Sequence, residues 1–261
     1  MQKNNGNAKE ITNKIFNSLS YVISVAILLV MWWIAAVLID RPVLPLPGAA
    51  IMEFYVQLQS GLLYHAWVSF YRIGVSLLFA LAIGIPLGIL LGTHKRLDSY
   101  VAPMIYLTYP IPKVVFLPVI LIILGFGDSS KIFLITFIVF YQILVTTRDA
   151  ARGIDPGLIM SVKSLGAGYW HLYYHVYFLG CLPEILTSLR IALGTAIAVL
   201  FLAEAYATQA GLGFFIMESM GRFNYPRMFA GIIGMALLGL FMYIMIDVFE
   251  RVFCRWKHLK K

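Results

Sequence analysis

Ser164-Leu165-Gly166-Ala167 begins a polar stretch between two apolar segments, and Pro110-Ile111-Pro112-Lys113 leads into an earlier apolar segment. Nearly everything around these two tetrapeptides is apolar enough to form helices inside a lipid bilayer. A polar, helix-forming loop between two membrane spans must face water, where it is available to bind another molecule. The two stretches therefore predict a helical membrane protein with one large loop that contacts a partner.

The composition is that of a membrane protein. The 261 residues are 61% hydrophobic and 12% charged, whereas a soluble domain carries about 25% charged residues. Lipid must replace water over most of the surface, and the length suits a single membrane domain. The net charge of +8 would suit a nucleic-acid partner in a soluble chain. Here the basic residues flank apolar runs, so they are better explained as determinants of membrane orientation.

Six apolar segments are candidate spans, because a bilayer core of about 30 Å requires roughly 20 residues per helix. They are residues 20–39, 73–91, 114–125, 132–146, 185–206 and 228–249. Pro110 and Pro112 predict a bent or partly unwound entry to the third segment. The apolar stretch 42–71 is a candidate for a segment lying in the membrane interface. The predicted fold class is an all-α membrane protein with about six transmembrane helices.

Basic residues determine the predicted orientation. Six spans put both termini on one side, and most of the 20 Lys and Arg residues fall on that side. The exceptions are Arg41, Arg72, Lys131, Arg222 and Arg227. The positive-inside rule then predicts a multi-pass protein of the plasma membrane with both termini in the cytoplasm. The expected organisation is a cytoplasmic tail (1–19), a membrane domain (20–250) with a helical inner loop region at about 150–183, and a basic cytoplasmic tail (251–261).

Three charged residues lie near the ends of the predicted spans. Glu204 is near the outer end of the fifth span, Arg190 is near its inner end, and Arg72 just precedes the second span. A carboxylate near the bilayer centre costs roughly 2.5–3.5 kcal/mol, so Glu204 is expected to face protein or water. Arg72, at a similar outer depth, is a candidate partner. A structural ion pair is favoured over direct contact with a solute.

Gly84, Gly88 and Gly92 recur at every fourth position of the second span and form one stripe. Small residues let helices approach closely in lipid, where packing drives helix association. Packing within the chain is the favoured role of this stripe, and contact with a second copy is the alternative.

The sequence contains no recognisable catalytic motif: there is no nucleotide-binding phosphate loop, no HExxH, no CxxC and no GxSxG. His171 and His175 are spaced to share a helix face, but no carboxylate or thiol lies near them in sequence to complete a metal site. Cys181 and Cys254 are expected on the cytoplasmic side as reduced thiols. We therefore expect no enzymatic activity in this chain, no metal and no cofactor.

The chain resembles the membrane subunit of type I ATP-binding cassette (ABC) importers, and most closely the nitrate, sulfonate and taurine branch. The shared order of several motifs carries the resemblance over about residues 44–256. These motifs are Ser69-Phe70-Tyr71-Arg72-Ile73-Gly74, Gly84-Ile85-Pro86-Leu87-Gly88, Ile111-Pro112-Lys113, Ser164-Leu165-Gly166-Ala167, Ser188-Leu189-Arg190-Ile191-Ala192, Ala203-Glu204 and Gly211-Leu212-Gly213.

The resemblance implies a cytoplasmic EAA loop that inserts a coupling helix into a cleft of a separate ATPase subunit. Anchored on Gly166, the EAA triplet falls on Met160-Ser161-Val162, so its acidic residue is missing. Contact with the ATPase is then expected at Lys163, Ser164, Leu165, Gly166 and Ala167, with a crowded turn at Gly166. We call residues 163–167 the coupling turn. Docking of this loop into a partner's groove is favoured over its lying on lipid headgroups.

The resemblance further implies alternating access by a homodimer of this chain. Two ATPase subunits would lie beneath it and an extracytoplasmic solute-binding protein above it. The implied cargo is a small anion, such as a nitrate-, sulfonate- or taurine-like compound, and the outer residues Arg72, Arg222 and Arg227 suit an anion electrostatically.

Three other functions are weighed against this one. A self-sufficient secondary transporter or channel would need carboxylates at mid-membrane and internal repeats, and the sequence displays neither. An integral-membrane enzyme would need a cluster of His, Asp, Glu or Cys at one interface. The remaining alternative is an importer permease for other solutes, such as amino acids or polyamines.

Overall fold

The computed structural model describes the backbone of residues 2–206 and 208–254 and the side chains of residues 20, 22–206 and 208–254. The described residues are helical without a strand, which confirms the predicted all-α class. The side chains of the predicted tail 1–19, and residues 255–261 of the other tail, lie outside the described residues. The helices are α1 Gln2–Ile39, α2 Pro47–Gln59, α3 Leu62–Thr93, α4 Lys95–Thr108, α5 Leu117–Leu124, α6 Asp128–Arg152, α7 Pro156–Ser164, α8 Tyr169–His171, α9 Leu179–Ala205, α10 Leu212–Gly221 and α11 Tyr225–Phe253.

Five stretches of helix in the described part of the chain are long and apolar enough to cross a membrane. They are α1, α3, α6, the continuous helix Tyr169–Ala205 and α11. A sixth span is formed if α4 and the helical segment Lys113–Leu124 are taken together, although the two halves are bent by 78°. The predicted bend at Pro110 and Pro112 is thereby confirmed, because both prolines lie between the halves.

Two predicted spans, the second and the fourth, are too short because buried charges were treated as helix ends. α3 begins at Leu62, not at residue 73, and α6 extends over Asp128–Arg152 rather than 132–146. The segment 42–71 is not one interfacial unit: it divides at Gly61, whose φ is +113°, into α2 and the first turns of α3. Lys131, expected in an outer loop, is fully buried in α6 and donates to the carbonyl of Phe126 (2.6 Å).

Helix α6 lies between α3 and α9 and forms the centre of the bundle. Leu134, Ile135 and Ile143 of α6 are fully buried, and the small residues Ala192 and Ala196 of α9 are equally inaccessible. Apolar packing of this kind drives helix association in lipid. By contrast, almost all of the described side chains of α1 are exposed. The fold therefore combines a packed core of spans with one peripheral helix that presents its sides to the membrane.

Candidate functional site

The coupling turn lies at the exposed tip of the inner loop. Asp155 begins α7 by accepting a hydrogen bond from the backbone N–H of Gly157 (2.9 Å), and no residue of α7 is buried. The turn that follows contains Leu165, which is 88% exposed, and Gly166, whose φ is +84°. Lys163 and Ser164 are also exposed, and Ala167 is half-buried. All five predicted residues therefore lie together on a surface without apolar cover.

The expectation of a crowded turn at Gly166 is wrong for the chain by itself. A Cβ atom built on Gly166 would meet nothing within 4 Å. The requirement for glycine is conformational, because L-residues with a side chain rarely adopt a positive φ. A substitution here is expected to distort the turn rather than to clash with a neighbour.

A continuous helix connects the coupling turn to the core. The helix runs from Tyr169 to Ala205 and includes the π-helical segment Leu172–Phe178, in which Leu172 and Val176 are buried. Tyr174 stacks on Phe178 with ring centroids 5.6 Å apart. π-helical turns often mark functional positions. The segment that follows the coupling turn is therefore continuous with α9.

At the opposite end of α9, Glu204 lies in a fully buried polar cluster. Arg72 of α3 donates to Glu204 Oε1 at 2.7 Å, so the structure brings together the two residues that the sequence pairs. Ser69 also donates to the carboxylate (2.9 Å), and the backbone N–H of Gly213 donates to Oε2 (2.8 Å). Both oxygens of this buried carboxylate are therefore hydrogen-bonded, as a buried polar group requires.

Gly211 and the start of α10 are fitted closely around Glu204. A Cβ atom on Gly213 would lie 2.7 Å from Glu204 Cβ, and one on Gly211 would overlap the carboxyl group. Arg72 also binds Asp128 at the start of α6, at 2.6 Å. The cluster consequently ties together four helices: α3, α6, α9 and α10. Its composition suits a structural clasp that holds these helix ends in one arrangement.

Arg190 does not join this cluster. It binds Asp247 and Glu250 of α11, both at 2.5 Å. The expectation that Arg72, Arg222 and Arg227 attract an anion is not favoured by their surroundings. Arg72 is only 3% exposed, and Arg222 and Arg227 both bind Glu218, at 2.7 and 3.5 Å.

The glycine stripe of α3 faces α6 of the same chain. Cβ atoms on Gly88 and Gly92 would lie 2.6 Å from Thr147 Cβ and 2.5 Å from the carbonyl oxygen of Arg148, respectively. A Cβ on Gly84 would lie 3.0 Å from Ile143. The geometry corresponds to packing within the chain, because the backbones of α3 and α6 approach too closely for side chains.

Sequence reasoning missed a second buried ionic cluster. Asp98 of α4 binds both Arg148 and Arg152 of α6, and Arg148 Nη2 lies 3.0 Å from Asp98 Oδ2. The available signal was the spacing of Arg148 and Arg152, four residues apart on one helix face, which called for an acidic partner.

The rings of His171 and His175 are 6.0 Å apart. The described residues contain no group of three or more His, Cys, Asp or Glu arranged to hold a metal.

Comparison with known proteins identifies relatives over most of the chain. Residues 84–253 match the family model described as a binding-protein-dependent transport system inner membrane component. The taurine transport system permease protein TauC of Escherichia coli (strain K12) is 31% identical over 242 residues, covering 89% of this chain and 88% of TauC. A Bacillus subtilis (strain 168) protein, provisionally named as the aliphatic sulfonates transport permease SsuC, is 28% identical over 89% of this chain and 86% of its own length.

A solved structure shares the fold. The inward-facing MetNI methionine ABC transporter contains a chain that superimposes with a TM-score of 0.65 and 22% sequence identity. The match covers 74% of this chain and 95% of the MetNI chain. The predicted type I importer fold is thereby confirmed.

Proposed function

This chain belongs to the family of binding-protein-dependent transport system inner membrane components and is an ABC importer permease. We propose that it acts as a homodimer. In this proposal two copies enclose the solute path, two separate ATPase subunits bind the coupling turns, and an extracytoplasmic binding protein delivers the solute. The chain itself hydrolyses no ATP. The names of TauC and SsuC support a small sulfonate-like solute as the cargo.

The exposed coupling turn is the observation that carries this proposal. Leu165 is an apolar side chain at the tip of a polar loop and is 88% exposed, and exposed Lys163 is its neighbour in the turn. An apolar tip beside a cation, carried by a short helix, suits a groove in a soluble partner. The continuous helix Tyr169–Ala205 provides the connection from that partner to the membrane core.

The basic residues support a cytoplasmic location for the coupling turn and for both termini. The inner loop and its flank contain Lys163, Arg148 and Arg152. The opposite side of the membrane, at the N-terminal end of α11, has Arg222 and Arg227. The positive-inside rule assigns the more basic side to the cytoplasm, where ATPase subunits have access to ATP.

Co-purification from native membranes tests the proposal. A tagged chain is expected to retain an ATPase subunit and a solute-binding protein. Leu165→Asp is expected to lose the ATPase, because the charge would have to be buried in an apolar groove. Phe223→Asp is the matched control, since Phe223 is 77% exposed in the loop between α10 and α11. Retention of the ATPase by both variants, or ATP hydrolysis by the purified chain alone, would contradict the proposal.

A further inference from the structure

A cleft with several polar side chains lies between α6 and α9. Its volume is about 360 Å³, and five of its seven lining residues have polar side chains, namely Gln142, Thr146, Glu184, Thr187 and Ser188; Pro183 and Ile191 complete the lining. Both helices are apolar enough to span a membrane. Polar and ionisable side chains in such helices are costly towards lipid and almost always face the protein interior or water. The polar side chains of the cleft are therefore expected to face water or another protein surface rather than acyl chains.

The polar groups of the cleft are only partly satisfied within the chain. Gln142 donates a long hydrogen bond to the carbonyl oxygen of Ser188 (3.4 Å), and Thr146 donates to the Ser188 hydroxyl (3.1 Å). Thr187 is exposed and donates back to the carbonyl of Pro183 (2.9 Å). Gln142 has an amide oxygen and a second N–H that are left for another partner. The lining is thus prepared to exchange hydrogen bonds with water or a polar molecule.

Glu184 is exposed and differs from the other acidic residues of the spans. Within the described residues, Asp98, Asp128, Glu204 and Asp247 each bind an arginine. Glu184 has no ion pair or hydrogen bond in the described part of the chain and faces the cleft. Arg190 cannot neutralise it, because Arg190 binds the acidic residues of α11. The cleft lining contains a carboxylate, an amide and hydroxyls but no cation.

The position of Glu184 along α9 places the cleft in one half of the membrane. Glu184 and Glu204 are 20 residues apart, which corresponds to about 30 Å at 1.5 Å per residue and matches the thickness of the hydrocarbon core. Glu204 belongs to the structural clasp at the predicted outer end of α9, so Glu184 lies at the inner boundary. Ile191 lies about 10 Å deeper in the membrane. The cleft therefore extends from the inner boundary towards the membrane centre.

We propose that the cleft between α6 and α9 is a water-filled segment of the solute path, and that Glu184 gives its inner mouth a negative potential. This inference rests on the proposed function as an importer permease. The segment accepts solutes that carry an ammonium group or other hydrogen-bond donors more readily than bare anions, because its lining offers acceptors and one negative charge. A zwitterionic aminosulfonate satisfies both this lining and the sulfonate-like cargo proposed above.

Thiol accessibility in the assembled complex tests the inference. Thr187→Cys places a thiol in the cleft, and inside-out membrane vesicles containing the complex are treated with a cationic and an anionic methanethiosulfonate reagent. Native Cys181 and Cys254 are both fully buried, so the parent complex gives the background rate. Val248→Cys is the control, because Val248 is 53% exposed on an apolar face of α11 with Ile244 and Val252.

We expect both reagents to modify Thr187→Cys faster than Val248→Cys. The ratio of the cationic to the anionic rate at Thr187→Cys should also be higher than the same ratio for a small free thiol in solution. Residues three positions apart on a helix have Cβ atoms about 5–6 Å apart. A unit charge at that distance in water changes each probe's rate by about threefold, in opposite directions for the two probes. Adding Glu184→Gln is therefore expected to lower the ratio of cationic to anionic rates by roughly tenfold.

Three results would overturn the inference. The first is a Thr187→Cys thiol as unreactive as that of Val248→Cys. The second is a disulfide between two copies at this position without access for either reagent, which would identify a packed subunit contact. The third is a rate ratio that Glu184→Gln leaves unchanged. ATP-dependent solute uptake by the parent complex is measured in parallel in proteoliposomes that hold ATP inside and binding protein outside, because its absence would count against the proposed function and not against the cleft.

Discussion

Replacement of Arg72 by methionine should destabilise the protein strongly, because it leaves Glu204 as an unpaired buried charge. Glu204 is fully buried and bonded to Arg72 at 2.7 Å. Removing one partner of a buried ion pair typically costs about 3–5 kcal/mol. Asp128, the other partner of Arg72, is half-exposed and regains water, so its loss adds less than about 1 kcal/mol. The expected total is therefore about 3–6 kcal/mol.

The free energy of unfolding in mixed detergent micelles measures this cost. Arg222→Met is the matched control: Arg222 binds Glu218 at the same distance of 2.7 Å, but its side chain is 64% exposed, so the expected loss is below about 1 kcal/mol. The double variant Arg72→Met/Glu204→Gln should regain a large part of the loss, because it leaves no buried charge. Equal losses for Arg72→Met and Arg222→Met, or additive losses in the double variant, would refute the reasoning.

Three further predictions concern single residues. Glu204→Gln should lower stability by about 1–3 kcal/mol, because its amide turns a donor towards Arg72 or Gly213, without changing the ranking of transported solutes in uptake assays. Gly88→Ala should destabilise the fold in the same unfolding assay, since its Cβ would lie 2.6 Å from a neighbouring side-chain atom, whereas Gly74→Ala, with nothing within 4 Å, should be neutral or stabilising by up to about 1 kcal/mol. Gly166→Ala should cost about 1–2 kcal/mol in the local turn and reduce ATPase co-purification. Unchanged co-purification would show that the positive φ of residue 166 is not required for ATPase binding.

The all-α class and a count of about six spans, against five or six in the structure, could be predicted because hydropathy is summed over some 20 residues, and one misjudged residue does not change the result. The helix limits failed where a single charge was decisive. Arg72 and Lys131 were assigned to loops as though water solvated them. The partner of Arg72, Glu204, lies 132 residues away in the chain, and a local pattern cannot show that the two meet.

The candidate site was predictable to the extent that it depends on local composition. The polarity and glycines of the inner loop indicated an exposed turn, and the outer depth of Glu204 and Arg72 indicated their pairing. The cleft beside Glu184 was not predictable, because Gln142 and Ser188 come together only through the packing of α6 on α9. The unpaired state of Glu184 likewise depends on Arg190 turning towards α11.

Solute accumulation by reconstituted vesicles tests the central claim most directly, namely that this chain transmits force from a separate ATPase and supplies none itself. The test vesicles contain the permease and its co-purified ATPase, with ATP on the ATPase side inside and the binding protein outside. They should concentrate the solute against its gradient. Vesicles containing only this chain should neither concentrate solute nor hydrolyse ATP. Accumulation by the chain alone would contradict the account.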